Sequence, residues 1–71
     1  MVLAENYLNK VGYYELFPKL IAIRKASNVS QREISRELHC SAAYVCKVEK
    51  MERVSIPMFD YYMDRFGGDL E

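Results

Sequence analysis

Seventy-one residues, 51% hydrophobic and 28% charged, are enough for one small domain spanning residues 1–71 and exclude a chain disordered by composition. The formal net charge is zero, so composition as a whole gives no attraction to nucleic acid or to a membrane surface. No apolar run approaches the roughly 20 residues a membrane helix needs, and Glu5 without a basic opening speaks against a signal peptide.

Taken in order, residues 2–11 carry Leu3, Tyr7 and Val11 at four-residue intervals, the stripe of an N-terminal helix that Gly12 ends. This helix (1–13) either caps the core or supplies a contact to a second molecule. A second helix is predicted from Tyr14 to Ala26, with Leu16, Leu20 and Ile23 on one face and Pro18 tolerable only in its first turn. Ser27 to Ser30 form a loop, and Ser30 with Glu33 has the S-x-x-E spacing of a capping box.

Gln31 to Lys50, QREISRELHCSAAYVCKVEK, is the most informative stretch. Ile34 and Leu38 are four apart and share a helical face; Val45 and Val48 are three apart and share another. His39-Cys40-Ser41 lies between, Ser41 is a good N-cap, and the small Ser35 sits where two helices would approach. Two short helices (31–38 and 42–50) joined by a tight turn have the pattern of a helix-turn-helix, whose second helix can enter a DNA major groove. After an exit loop, Ser55 caps a last helix with Pro57 in its first turn and Ile56, Phe59, Met63 and Phe66 as its core stripe; Gly67-Gly68 is expected to end it. Met58, Tyr61 and Tyr62 fall off that stripe and form a candidate self-association patch.

Charge is segregated along the chain. Residues 16–50 hold seven basic and three acidic side chains, a local +4; residues 51–71 hold two basic and five acidic, −3; residues 1–15 hold −1. This suggests a basic face and an acidic far side. Cys40 and Cys46 lack C-x-x-C spacing and are expected to be free thiols of a reducing cytoplasm; with His39 as the one histidine, no metal set is formed. Neither a nucleophile–base spacing nor a glycine-rich phosphate loop is present, so no enzyme and no cofactor are expected.

From about Leu16 to Leu70 the chain resembles the phage repressor and Cro family, the XRE-type helix-turn-helix proteins. Ser30-Gln31 matches the family's opening of the first motif helix. Ile34, Leu38, Cys40, Val45 and Val48 fall on its buried positions, and Tyr44 to Glu49 looks like its second-helix segment. Arg24 precedes Glu49 by 25 residues, the family's spacing for a buried Arg–Glu pair. His39 stands where the family usually has a turn glycine, which implies φ > 0 there, and Met51 stands at another frequent glycine position.

The resemblance implies an all-α, five-helix, lambda-repressor-like domain with family core 14–70. It also implies a double-stranded DNA-binding regulator, in most cases a dimeric repressor on a palindromic operator. Groove-facing positions fall by resemblance on Ser41, Ala42, Ala43, Cys46, Lys47 and Lys50. Gln31, Arg32 and Tyr44 are candidate phosphate contacts, Arg36 is another, and Arg53 lies where the family's loop runs beside the DNA backbone. The dimer candidates are Met58, Tyr61 and Tyr62, or alternatively Leu3 and Tyr7 of the N-terminal helix. The competing reading keeps the fold as a protein-interaction module, antitoxin-like or an anti-repressor partner. Zero net charge and two alanines in the reading positions favour it.

Overall fold

A computed structural model describes residues 12–70 of the chain. The helix expected over residues 2–11, with Leu3 and Tyr7, lies outside the described residues. Within them the chain is all-helical: α1 (Tyr13–Ala26), α2 (Gln31–Glu37), α3 (Ala42–Glu49) and α4 (Ile56–Phe66), followed by a 3-10 turn at Gly67–Asp69. No helix among them is long and apolar enough to cross a membrane.

Helix α1 begins one residue earlier than the sequence predicts, because Gly12 takes a left-handed φ of 74° and its carbonyl accepts from Leu16 at 2.8 Å. Pro18 therefore lies in the second turn. Its missing N–H leaves the Tyr14 carbonyl without an intrahelical donor, and both residues lie on the exposed side, where water can replace it. The buried face is Tyr13, Phe17, Leu20, Ile21 and Arg24. Leu16 and Ile23, expected in the core with Leu20, flank it half-buried. Aromatic residues outcompete them: Tyr13 and Phe17 pack against Phe59 and Tyr62 of α4 in edge-on and tilted pairs with ring centroids 4.9–5.8 Å apart.

Helices α1, α2 and α3 end in the same way. The residue two beyond each helix is left-handed: Asn28 at φ 61°, His39 at 56° and Met51 at 66°. The amide one further on reaches back to the third-last helical carbonyl: Val29 to Arg24 at 3.2 Å, Cys40 to Ser35 at 3.0 Å, and Glu52 to Lys47 at 2.9 Å. These are three Schellman caps without a glycine. The φ > 0 predicted for His39 is present. The glycines fall elsewhere: Gly67 caps α4 at φ −62°, and the chain runs on into the 3-10 turn closed by Leu70 N–H to Gly67 at 3.1 Å, so Gly67-Gly68 does not form the left-handed stop that was expected.

The N-caps agree with the sequence. Ser30, Ser41 and Ser55 accept from the amides of Glu33, Tyr44 and Met58 at 3.0, 3.0 and 3.2 Å. The capping box at Ser30 is only half made, since the Glu33 carboxylate turns to Arg65 of α4 instead. The buried face of α4 is Met58, Phe59, Tyr62 and Phe66, with Ile56 and Met63 partly buried beside it. Met58 is 2% and Tyr62 0% exposed, so neither can form the surface patch assigned to them. Residues 56, 59, 63, 66 and residues 58, 59, 62, 66 are both good helical stripes, and the packing of Tyr62 under Phe17 selects the second. Tyr61 stays half-buried at the edge.

Candidate functional site

One carboxylate ties the four helices together. Glu49, the last residue of α3, receives Arg24 of α1 in a fork of two bonds, Nε to Oε2 at 2.7 Å and Nη2 to Oε1 at 2.9 Å. The two side chains are only 6% and 5% exposed. The remaining guanidinium nitrogen donates to the Val29 carbonyl at 2.6 Å, just before α2. Gln31, the first residue of α2, donates its amide to Glu49 Oε1 at 2.9 Å. Tyr62 of α4 donates its hydroxyl to Glu49 Oε2. Every buried side-chain nitrogen and oxygen among the described residues has a partner, which a buried ion pair needs if desolvation is not to dominate. Burial, and after it the bond to Glu49, holds the Tyr62 hydroxyl far above the usual phenol range.

This network fixes the position of α3 relative to α1 and α2. Val45 and Val48 face inward and are fully buried. Ser35, 6% exposed, makes room on α2 and satisfies its hydroxyl on the Arg32 carbonyl at 2.6 Å. The opposite side of α3 presents Ser41, Ala42, Ala43, Lys47 and Lys50, all exposed, with Cys46 half-buried among them. Arg32 and Arg36 on α2 and Arg53 in the exit loop are also exposed. None of these basic residues makes an ion pair among the described residues. The Arg24–Glu49 pair removes one charge of each sign, so the local +4 of residues 16–50 stands.

Tyr44 differs from its neighbours. It is half-buried against the core and lines a cleft of about 200 Å³ with Leu38, Cys40, Ser55, Pro57 and Met58. Above the cleft's Ser55, Tyr13 takes the Ser55 N–H on its hydroxyl at 3.2 Å, and desolvation raises the Tyr13 hydroxyl's pKa. Gln31 likewise has one amide proton committed to Glu49, so it can reach outward with only the other. Cys40 and Cys46 are free thiols.

Two features escape the sequence. Tyr62 belongs to the Glu49 network, and the alternative stripe Phe59–Tyr62–Phe66 was the signal for it. Arg65 of α4 bonds Glu33 of α2 at 2.7 Å and the Tyr61 hydroxyl at 2.8 Å, with its guanidinium 5.4 Å from the Phe66 ring centre. The residues it joins are 32 apart, and nothing in a single sequence signals such a pair. Compared with family models, with curated proteins and with solved structures, the chain matches none.

Proposed function

We propose that α2, the His39 turn and α3 form a helix-turn-helix of the repressor and Cro type, and that the protein is a sequence-specific double-stranded DNA-binding regulator. The observation that carries this reading is the division of α3. Val45, Val48 and the Glu49 hub hold one side of it rigidly, while Ser41, Ala42, Ala43, Lys47 and Lys50 stand free on the other. A short helix held by its inner face, with cations and small residues outside, fits a major groove.

In this reading Lys47 donates to guanine edges, Ala42 and Ala43 offer apolar contact to thymine methyl groups, and Ser41 and Lys50 bound the reading surface. Arg32, Arg36 and Arg53 meet phosphates, and the free amide proton of Gln31 does the same. With two alanines in the reading set, the deformability of the duplex contributes to sequence preference. A dimer on a palindromic operator and repression of a promoter, in the cytoplasm, complete the proposal. Selection of bound sequences from a random duplex pool tests it: enrichment of a defined motif is expected, and recovery of an unchanged pool contradicts sequence-specific binding.

The cleft beside Tyr44 favours a second reading, a protein-interaction module that uses the same fold. That module would show no duplex binding at low salt.

A further inference from the structure

We infer that Arg65, on a helix that carries no proposed DNA contact, acts as an electrostatic mask for the phosphate-facing end of α2. The inference rests on the DNA-binding reading and adds to it a positioning residue outside the helix-turn-helix. Glu33 is the acidic residue in the first turn of α2, two residues after Gln31 and next to Arg32. It is half-exposed, with its side chain at 47%, so an unpaired carboxylate there would repel approaching phosphates.

Arg65 cancels that charge from across the fold. Its Nη2 lies 2.7 Å from Glu33 Oε2, its Nη1 donates to the Tyr61 hydroxyl at 2.8 Å, and the Phe66 ring lies beneath it. Two contacts from its own helix, the Tyr61 hydroxyl and the Phe66 ring, hold the guanidinium in place, so little rotamer entropy is left to lose when it pairs with Glu33. The bonds to Glu33 and Tyr61 also raise its pKa. The same pairing explains why Glu33 leaves its capping box incomplete: the carboxylate that would reach back to Ser30 is held by α4 instead. With Glu33 neutralised, Arg32 and Arg36 face the duplex opposed on α2 only by Glu37, at its far end.

The test is a titration of a mixed-sequence duplex spanning two helical turns, at low and at near-physiological salt, with wild type, Arg65→Ala, Glu33→Gln and Arg65→Ala/Glu33→Gln. Arg65→Ala is expected to weaken binding roughly three- to tenfold at low salt and by less at higher salt, where screening shortens the reach of Glu33. Glu33→Gln alone should bind at least as tightly as wild type. The double variant should return to within about twofold of wild type, although the α2–α4 bridge is still broken. That rescue separates a mask from a structural strut, since a strut stays broken in the double variant. Thermal melting of all four proteins checks that each is folded at the assay temperature. Arg65→Ala binding like wild type overturns the inference, and so does a double variant as weak as Arg65→Ala. Wild type failing to bind any duplex contradicts the DNA-binding reading itself, a separate outcome.

Discussion

Removing the Glu49 carboxylate would leave the Arg24 guanidinium buried with the Val29 carbonyl as its remaining partner. Breaking a buried pair by deleting one side costs about 3–5 kcal/mol, so Glu49→Ala should lower the denaturation midpoint sharply. A change below about 1 kcal/mol, the ceiling for a surface pair, would contradict the buried hub. Tyr62→Phe removes one hydrogen bond to a charged acceptor and should cost about 1.5–3 kcal/mol at neutral pH. Its pH dependence gives an independent check. The folded state holds the Tyr62 proton more tightly than the unfolded chain, whose phenol titrates near 10.0. The stabilisation from Tyr62 is therefore complete below that pH and is lost as pH rises above it, at up to about 1.4 kcal/mol per pH unit. Chemical denaturation between neutral and strongly alkaline pH should show a shallower decline for Tyr62→Phe than for wild type, with Tyr13, whose pKa burial also raises, contributing to the slope that remains. Parallel declines would contradict the role of Tyr62.

At the scale of the elements, the three Schellman caps set the turns and do so under strain. A non-glycine residue in the left-handed region costs about 1–2 kcal/mol, least for asparagine. His39 is exposed and its side chain is absent from the core, so His39→Gly should stabilise by roughly 0.5 kcal/mol after the extra freedom of glycine in the unfolded chain is subtracted. Met51→Gly should gain less, because Met51 packs against the core and glycine gives up that contact. Thermal melting that shows His39→Gly destabilised would mean its side chain does something no contact accounts for.

The same helices show how far a single sequence can be read. The serine caps and the inward valines of α3 are local features and were legible in the sequence, while the φ > 0 at His39 and the Arg24–Glu49 pair were expected from the resemblance to the repressor and Cro family. The inner faces of α1 and α4 were legible only in part: Leu20, Phe59 and Phe66 are buried as expected, while Tyr13, Phe17, Met58 and Tyr62 take the places given to Leu16, Ile23, Ile56 and Met63. In a chain so rich in apolar residues, several stripes fit a 3.6-residue period, and only packing of Phe17 against Phe59 and Tyr62 decides among them. For the proposed site the helix assignment predicts two different losses. Lys47→Ala should lower affinity and relax preference at one base pair. Arg53→Ala should weaken all duplexes alike and reduce the salt slope by about one. Binding unchanged in both variants would contradict the orientation of α3.

For the whole molecule, the proposed function asks more of this domain than one copy easily supplies. A local +4 and a few exposed cations make a small footprint, whereas two copies double the phosphate contacts and place half-sites about 34 Å apart. With Met58 and Tyr62 buried in the core, Tyr61 at the edge of α4 is the described residue left from the expected interface, beside Leu3 and Tyr7 outside the described region. Sedimentation of wild type, Tyr61→Ala and Tyr7→Ala with and without DNA should show a dimer on DNA and identify the variant that dissolves it. A monomer that binds a half-site as tightly as a palindrome would contradict the dimer.

The central claim is that the outer side of α3 meets duplex DNA. It is tested most directly by titrating duplex DNA into wild type and into Lys47→Ala/Lys50→Ala over a series of salt concentrations. Binding at low salt that weakens linearly in log salt with a slope of about −0.9 per phosphate contact is expected, with lower affinity across the salt series in the variant, whose phosphate contacts through Arg32, Arg36 and Arg53 remain. No binding by folded wild type at low salt, or identical affinity and slope for the two proteins, would contradict it.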